Sequence, residues 1–295
     1  MAYDSVKQML RDASEKKLPL WKSILLNDAS AQHSSEEASL HEMQHLWEVM
    51  KETSAAYCAA DRSHSGLVGG DSAKVAEAMH TGKLIGDTFL NEIVAEALKI
   101  GECNACMKRI VATPTAGSCG VLPAVFIPLV RRQKCTDDAV IQSLYVAAGF
   151  GQVIAQRASI AGASGGCQAE IGTASAMAAA ALTALWGGTP EMSADACAMA
   201  LSNLLGLVCD PVAGLVEVPC VQRNVVGALN AVGAANMALA GVVCRIPVDE
   251  VIDAMGEVGD QMSSDLRETG RGGLAGTPTG KKIAKDLAKR RLAAF

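Results

Sequence analysis

Residues 162–191, GASGGCQAEIGTASAMAAAALTALWGGTPE, decide the fold. From Ile171 to Trp186 the side chains are small or apolar, and the whole run QAEIGTASAMAAAALTALW shows no strand-like alternation and has a length that suits a helix. Gly187 and Gly188 stop it. Thr189, Pro190 and Glu191 then open another helix with a cap, a first-turn proline and an acidic first turn. Of the 295 residues, 50% are hydrophobic but only 3% aromatic. A core of Ala, Val, Leu, Met and Gly follows, which favours close helix packing over a sheet sandwich.

Working outward, Thr136 before Asp137 and Asp138 caps a helix running to about Ala158. VLPAVFIPLVRR (121–132) forms another after the breaker ATPTAGSCG (112–120), in which Pro114 restricts Thr113. Within 36–60, Leu40, Met43, Leu46, Trp47 and Met50 share one helical face. Further helices are expected from Ser72, from Asp87 to Ile100, and from near Pro247. Short apolar pieces at 108–112 and 215–218 are the only places where a strand fits. The expectation is an all-α fold with a single helical domain over 1–295. It has an N-terminal helical region at 1–60 and a basic terminal helix at 278–295. Gly-rich turns at 66–70, 113–120, 162–166, 209–220 and 270–280 converge on one site built from helix ends.

The net charge of −5 and scattered Lys and Arg give no footprint for nucleic acid. Residues 225–243, VVGALNAVGAANMALAGVV, approach the roughly 20 residues of a membrane span. Asn230, Asn236 and the lack of an aromatic belt make this stretch a core helix, so no membrane is expected. The N-terminal MAYDSVKQMLRDASEKK has no apolar signal region, which implies a cytoplasmic protein. In that compartment ten cysteines are buried small hydrophobes or metal ligands rather than disulfides. Cys103 and Cys106 form a lone CxxC, and Cys58, Cys197 and Cys244 sit in apolar helical patterns and read as core. Cys119 and Cys135 stay undecided.

Cys167, Cys209 and Cys220 differ. Gly165 and Gly166 precede the first, Pro211 follows the second, and Pro219 precedes the third. Two of the three open helices, where the positive end of the dipole stabilises a thiolate and an anionic cluster. On the residues alone, a metal centre and three buried thiols are equally good readings.

ATPTAGSCGVLPA, ASIAGASGGCQAEIGTASAMAAAALTALWGG, LGLVCDPVAGLVEVPCVQRN and GGLAGTPTGKK together resemble the α subunit of iron-sulfur-dependent L-serine dehydratase, or L-serine ammonia-lyase. The match is specific from about SGLVGGD onward and looser before it. The resemblance implies a 4Fe-4S cluster on Cys167, Cys209 and Cys220, whose spacings of 42 and 11 residues suit the family pattern. It also implies deamination of L-serine to pyruvate and ammonia, in amino-acid degradation and gluconeogenesis. An iron lacking a protein thiolate would act as Lewis acid on the substrate hydroxyl. Pyridoxal phosphate is not expected, for want of a lysine context. A β subunit, separate from this α-type chain, is expected as partner and supplier of catalytic residues. In some fused members a C-terminal cysteine caps the open iron; no cysteine follows Cys244 in this sequence.

The substrate carboxylate needs fixed donors, and Thr113, Thr115, Gly117 and Ser118 offer them. Ser164 and Gly165 would form a second edge, and Ser65 and Gly66 a third; ordinary turn and cap chemistry is the plainer alternative for each. His64, in a Gly-rich loop, is the best base in the chain, although an exposed loop histidine is the simpler reading and the base can lie on β. Arg223 and Asn224 are candidates for substrate or partner contacts. Two other readings are an L-cysteine desulfidase-type lyase and a non-catalytic helical scaffold, zinc-bound or metal-free, that binds a partner.

Overall fold

The computed structural model describes residues 3–293. Every residue from Thr173 to Thr183 is buried, so the helix read from the opening stretch has no solvent face and must be enclosed. The helices, in order, are α1 (Val6–Glu15), α2 (Leu20–Ala31), α3 (Glu36–Ala55), α4 (Asp71–His80), α5 (Thr88–Ala105), α6 (Val121–Arg131) and α7 (Asp137–Arg157). They continue with the single turn α8 (Gly162–Gly165), α9 (Thr173–Leu185), α10 (Pro190–Ser202), α11 (Cys220–Leu239), α12 (Val248–Gln261) and α13 (Pro278–Ala293). Helices α6, α7, α10 and α11 pack around α9. The fold is all-α. No strand occurs among the described residues, whose one β-type pairing is an isolated bridge between Cys209 and Arg267. Residues 108–112 and 215–218 are therefore connectors. In the second, the Val212 and Glu217 N–H groups bond to Val218 and Leu215 carbonyls in a tight turn.

Small side chains make the enclosure possible. A Cβ on Gly151 would meet the Met177 sulfur at 2.7 Å, and one on Gly227 would lie 3.0 Å from both Ile171 and Val121. Asn230 then ties three helices by donating to Ser175 Oγ of α9 at 2.9 Å and to the Ala200 carbonyl of α10 at 2.8 Å. A polar residue inside an apolar helix is thus satisfied internally. The stretch 225–243 lies within α11 and the loop after it. The one described helix long and apolar enough to cross a membrane is α7, and 67% of that window is buried inside the protein.

The caps read from sequence are present: Thr136 Oγ1 accepts from Ala139 N and Thr189 Oγ1 from Met192 N, each at 3.2 Å. α3 ends at Ala55, five residues earlier than its sequence pattern. Cys58 consequently falls in the following turn and is exposed rather than in the core. Cys197 is buried and Cys244 half-buried. The chain entering α9 forms one π-helical turn, Gln168–Gly172, a distortion that tends to occur at functional sites.

Enlarging a fully buried alanine in α9 has no compensating space. Ala178→Leu is expected to destabilise by about 1–3 kcal/mol, whereas Ala240→Leu, at an exposed position, stays within about 0.5 kcal/mol of the parent. Urea unfolding followed by circular dichroism measures both.

Candidate functional site

Four irregular segments meet at the N-terminal ends of α6, α9 and α11: 113–120, 162–172, 203–219 and 263–277. The thiols of Cys167, Cys209 and Cys220 are all buried there. Cys220 is the first residue of α11, Cys167 immediately precedes the π turn, and Cys209 lies in the connector between α10 and α11. The Cys209 backbone is clamped from the C-terminal side, its N–H donating to the Leu266 carbonyl at 2.8 Å and its carbonyl accepting from Glu268 N at 2.7 Å.

Arg223 joins the segments. Its guanidinium donates to the Val208 carbonyl at 2.7 Å, reaches Cys167 Sγ at 3.3 Å and pairs with Asp210 at 2.8 Å. Asp210 in turn accepts from Leu274 N at 2.7 Å, where Gly273 has φ +54° and no room for a Cβ, the carboxylate oxygen being 2.3 Å from where it would sit. A hydrogen bond from the Cys209 thiol, helped by the Arg223 charge, holds Cys167 below the usual thiol range against the opposing effect of burial. That same bond, together with burial, pushes Cys209 far up. Burial lifts Cys220 to about 12, with the charges of Cys167 and Glu170 adding to it.

Glu170, which sequence reasoning missed, completes this group. One potential ligand atom each from Cys167, Cys209 and Glu170 lie within 4.8 Å of one another. Thr115 donates to Glu170 Oε1 at 2.7 Å, and Oε2 lies 4.0 Å from Cys209 Sγ. Burial raises the Glu170 carboxyl and Glu268 adds to the rise, while the Thr115 bond opposes it. The available signal was a single carboxylate, three residues after Cys167, in an otherwise apolar run. Thiols with one carboxylate are a donor set for a thiophilic metal or an iron-sulfur cluster. A cradle surrounds it, since a Cβ on Gly162 would come within 2.6 Å of Glu170 Oε2 and 3.0 Å of Cys209 Sγ. Cys220 stands outside the tight group, whereas a single zinc would draw every sulfur to about 2.3 Å from one point.

The turn 113–118 borders this group through Thr115. Ser118 Oγ donates to the Thr113 carbonyl at 3.1 Å and accepts from Thr115 N at 3.3 Å. Gly117 faces Glu170, where an added Cβ would lie 3.3 Å from Oε1. Thr113 is buried and its hydroxyl has no partner. Asn224 fixes the turn to α11 by donating to the Gly117 and Cys220 carbonyls and accepting from Gly120 N. Arg223 and Asn224 are thus both engaged inside the chain.

Ser65 is buried and donates to Glu217 Oε2 at 2.5 Å, beside Ser63 at 2.8 Å. Glu217, a second acid that the sequence did not single out, ties this loop to the connector three residues before Cys220. Gly66 and His64 are exposed on it. Ser164 is exposed and bonded to Ser159 Oγ at 2.5 Å. With Gly165 it lines a separate recess of about 140 Å³ beside Arg157 and Met255. Among the remaining cysteines, Cys119 is a core thiol near the Ile100 carbonyl, and Cys103 and Cys106 line a narrow crevice with Cys58. α13 packs beside the 212–214 turn; the last two residues of the basic terminal segment lie outside the described residues.

Arg223 and Asp210 have side chains only 13% and 4% exposed. Arg223→Leu leaves Asp210 as an uncompensated buried charge and is expected to cost about 3–5 kcal/mol. Adding Asp210→Leu should recover part of that loss, as read by denaturant unfolding of the metal-free protein.

Residues 15–275 match the family model described as serine dehydratase alpha chain. The chain is 45% identical to the probable L-serine dehydratase alpha chain of Bacillus subtilis over 97% of this chain and 95% of that one. It is 40% identical to the L-serine dehydratase alpha chain of Peptoniphilus asaccharolyticus, over 97% and 98%. Against the L-serine dehydratase TdcG of Escherichia coli it is 45% identical, over 61% of this chain and 40% of that protein.

Proposed function

Because this chain belongs to the serine dehydratase alpha chain family, we propose that it is the α subunit of a 4Fe-4S-dependent L-serine ammonia-lyase that works with a separate β chain. The observation that carries the proposal is the gathering of Cys167, Cys209 and Glu170 around the Gly162 cradle, with Cys220 at the adjoining helix end. Cys167, Cys209 and Cys220 would hold the cluster. When bound, it supplies a Lewis acid for the hydroxyl that must leave the substrate. L-Serine is favoured over L-cysteine because the relatives are named L-serine dehydratases. Two observations support a β chain: the relatives are named alpha chains, and this chain matches only 40% of the E. coli enzyme.

The residues of this chain divide the remaining work. The free hydroxyl of Thr113 is a donor for the substrate carboxylate, in a place where an unpaired polar group is otherwise costly. Thr115 and Ser118 set the shape of that turn, and Asn224 holds it against the helix of Cys220. Ser63 and Ser65, anchored on Glu217, present His64 at the surface, where it can accept the α-proton or meet the partner chain. Ser164 and Gly165, in their separate recess, support the backbone before Cys167. Loss of the α-proton and the hydroxyl gives aminoacrylate, which tautomerises and hydrolyses to pyruvate and ammonia.

Anaerobic reconstitution with iron and sulfide should yield a brown protein with about four irons per chain. Cys167→Ser, Cys209→Ser and Cys220→Ser should each lose the cluster spectrum, and Cys103→Ser should keep it. Zinc or no metal in the reconstituted protein would overturn the proposal. With the β chain added, Thr113→Val should raise KM for L-serine about tenfold, the worth of one hydrogen bond of about 1.4 kcal/mol, at nearly unchanged kcat.

A further inference from the structure

The three cysteines leave one position of a four-ligand cluster without a thiolate. The geometry points to Glu170 as the residue of this chain that fills that position in the substrate-free protein, an inference that rests on the cluster reading above. Three observations carry it. The carboxylate lies in the same group as Cys167 and Cys209, with Oε2 4.0 Å from the Cys209 sulfur while Thr115 holds Oε1 at 2.7 Å. A carboxylate fixed through one oxygen is oriented for ligation through the other. No cation pairs with Glu170 among the described residues, and the nearby Arg223 is committed to Asp210, Val208 and Cys167. A largely buried carboxylate without a counter-charge is unfavourable, and a bound metal would supply that charge in place of a proton. Finally, glycine at 162 keeps open the space that Oε2 and Cys209 Sγ share, which any side chain there would fill.

A carboxylate suits this position chemically. Oxygen binds a cluster iron less firmly than thiolate does, so Glu170 would retain that iron in the resting protein without competing with a substrate hydroxyl as strongly as a fourth thiolate would.

The test uses the whole chain reconstituted anaerobically with ⁵⁷Fe and sulfide, as parent and as Glu170→Gln, which keeps an acceptor for Thr115. The parent should show one iron with the Mössbauer signature of oxygen ligation before any substrate is added. In the variant that iron should change signature. Its loss on brief exposure to air, read as the electron paramagnetic resonance signal of a three-iron cluster, should be about tenfold faster. Equal signatures and equal rates in the two proteins would overturn the role of Glu170 and leave the cluster reading standing. Failure of the parent to assemble any cluster would overturn both. Should Glu170→Gln not fold, Glu170→Asp retracts the same carboxylate by one methylene. It must then show a shifted signature and intermediate iron loss, and parent-like behaviour would overturn the inference.

Discussion

Arg223 is the constraint on which the site depends. It lies one helical turn from Cys220, touches the sulfur of Cys167, bonds to the carbonyl just before Cys209 and pairs with Asp210 just after it. One side chain therefore contacts every thiol-bearing segment. A guanidinium this buried is tolerable only with its donors satisfied and its charge matched, so no segment can shift without leaving a costly unpaired group. Asp210 carries the constraint to the C-terminal region through Leu274 N, and the Cys209 backbone does so through Leu266 and Glu268. The tail is consequently part of the wall of the site.

What brings these segments within reach of one guanidinium is the alanine content of α9. Residues 173–183 offer almost nothing beyond Cβ on most faces, so α6, α7, α10 and α11 can approach closely. The N-terminal ends of α9 and α11 then come together with the 116–118 turn. Helix starts expose N–H groups and carry partial positive charge, which offsets some of the negative charge of Cys167, Glu170 and Asp210. An all-round apolar helix and a polar, anionic site are two consequences of the same packing.

Helices were legible because their signals are local: the glycines after Trp186, the caps at Thr136 and Thr189, and the apolar face around Trp47 need no knowledge of the rest of the chain. The cysteine turns were legible because glycine and proline mark tight backbone. Glu170, Glu217 and the partners of Arg223 were not, since their meaning lies in contacts across 55, 154 and 56 residues of sequence. Cys58 fell outside the core because α3 ends five residues before its pattern does, and 215–218 failed as a strand because no strand among the described residues pairs with it. Sequence patterns report what one segment prefers. They do not report which second segment satisfies its polar groups.

Protonation explains how such a site stays intact before it is filled. With Cys167 drawn toward its thiolate by the Cys209 hydrogen bond and the Arg223 charge, Cys209 kept toward its thiol by the bond it donates to Cys167 and by burial, and Cys220 by burial and the charges of Cys167 and Glu170, the pocket avoids the repulsion of three thiolates beside two carboxylates. On the proposed reading, iron must displace protons from the two raised thiols, so loading and proton release are coupled. Once loaded, the charge that the metal brings replaces those protons. The asymmetry of the three cysteines is then a property of the unfilled site, in which the sulfur beside Arg223 is the one most easily deprotonated and the other two would give up their protons to a metal.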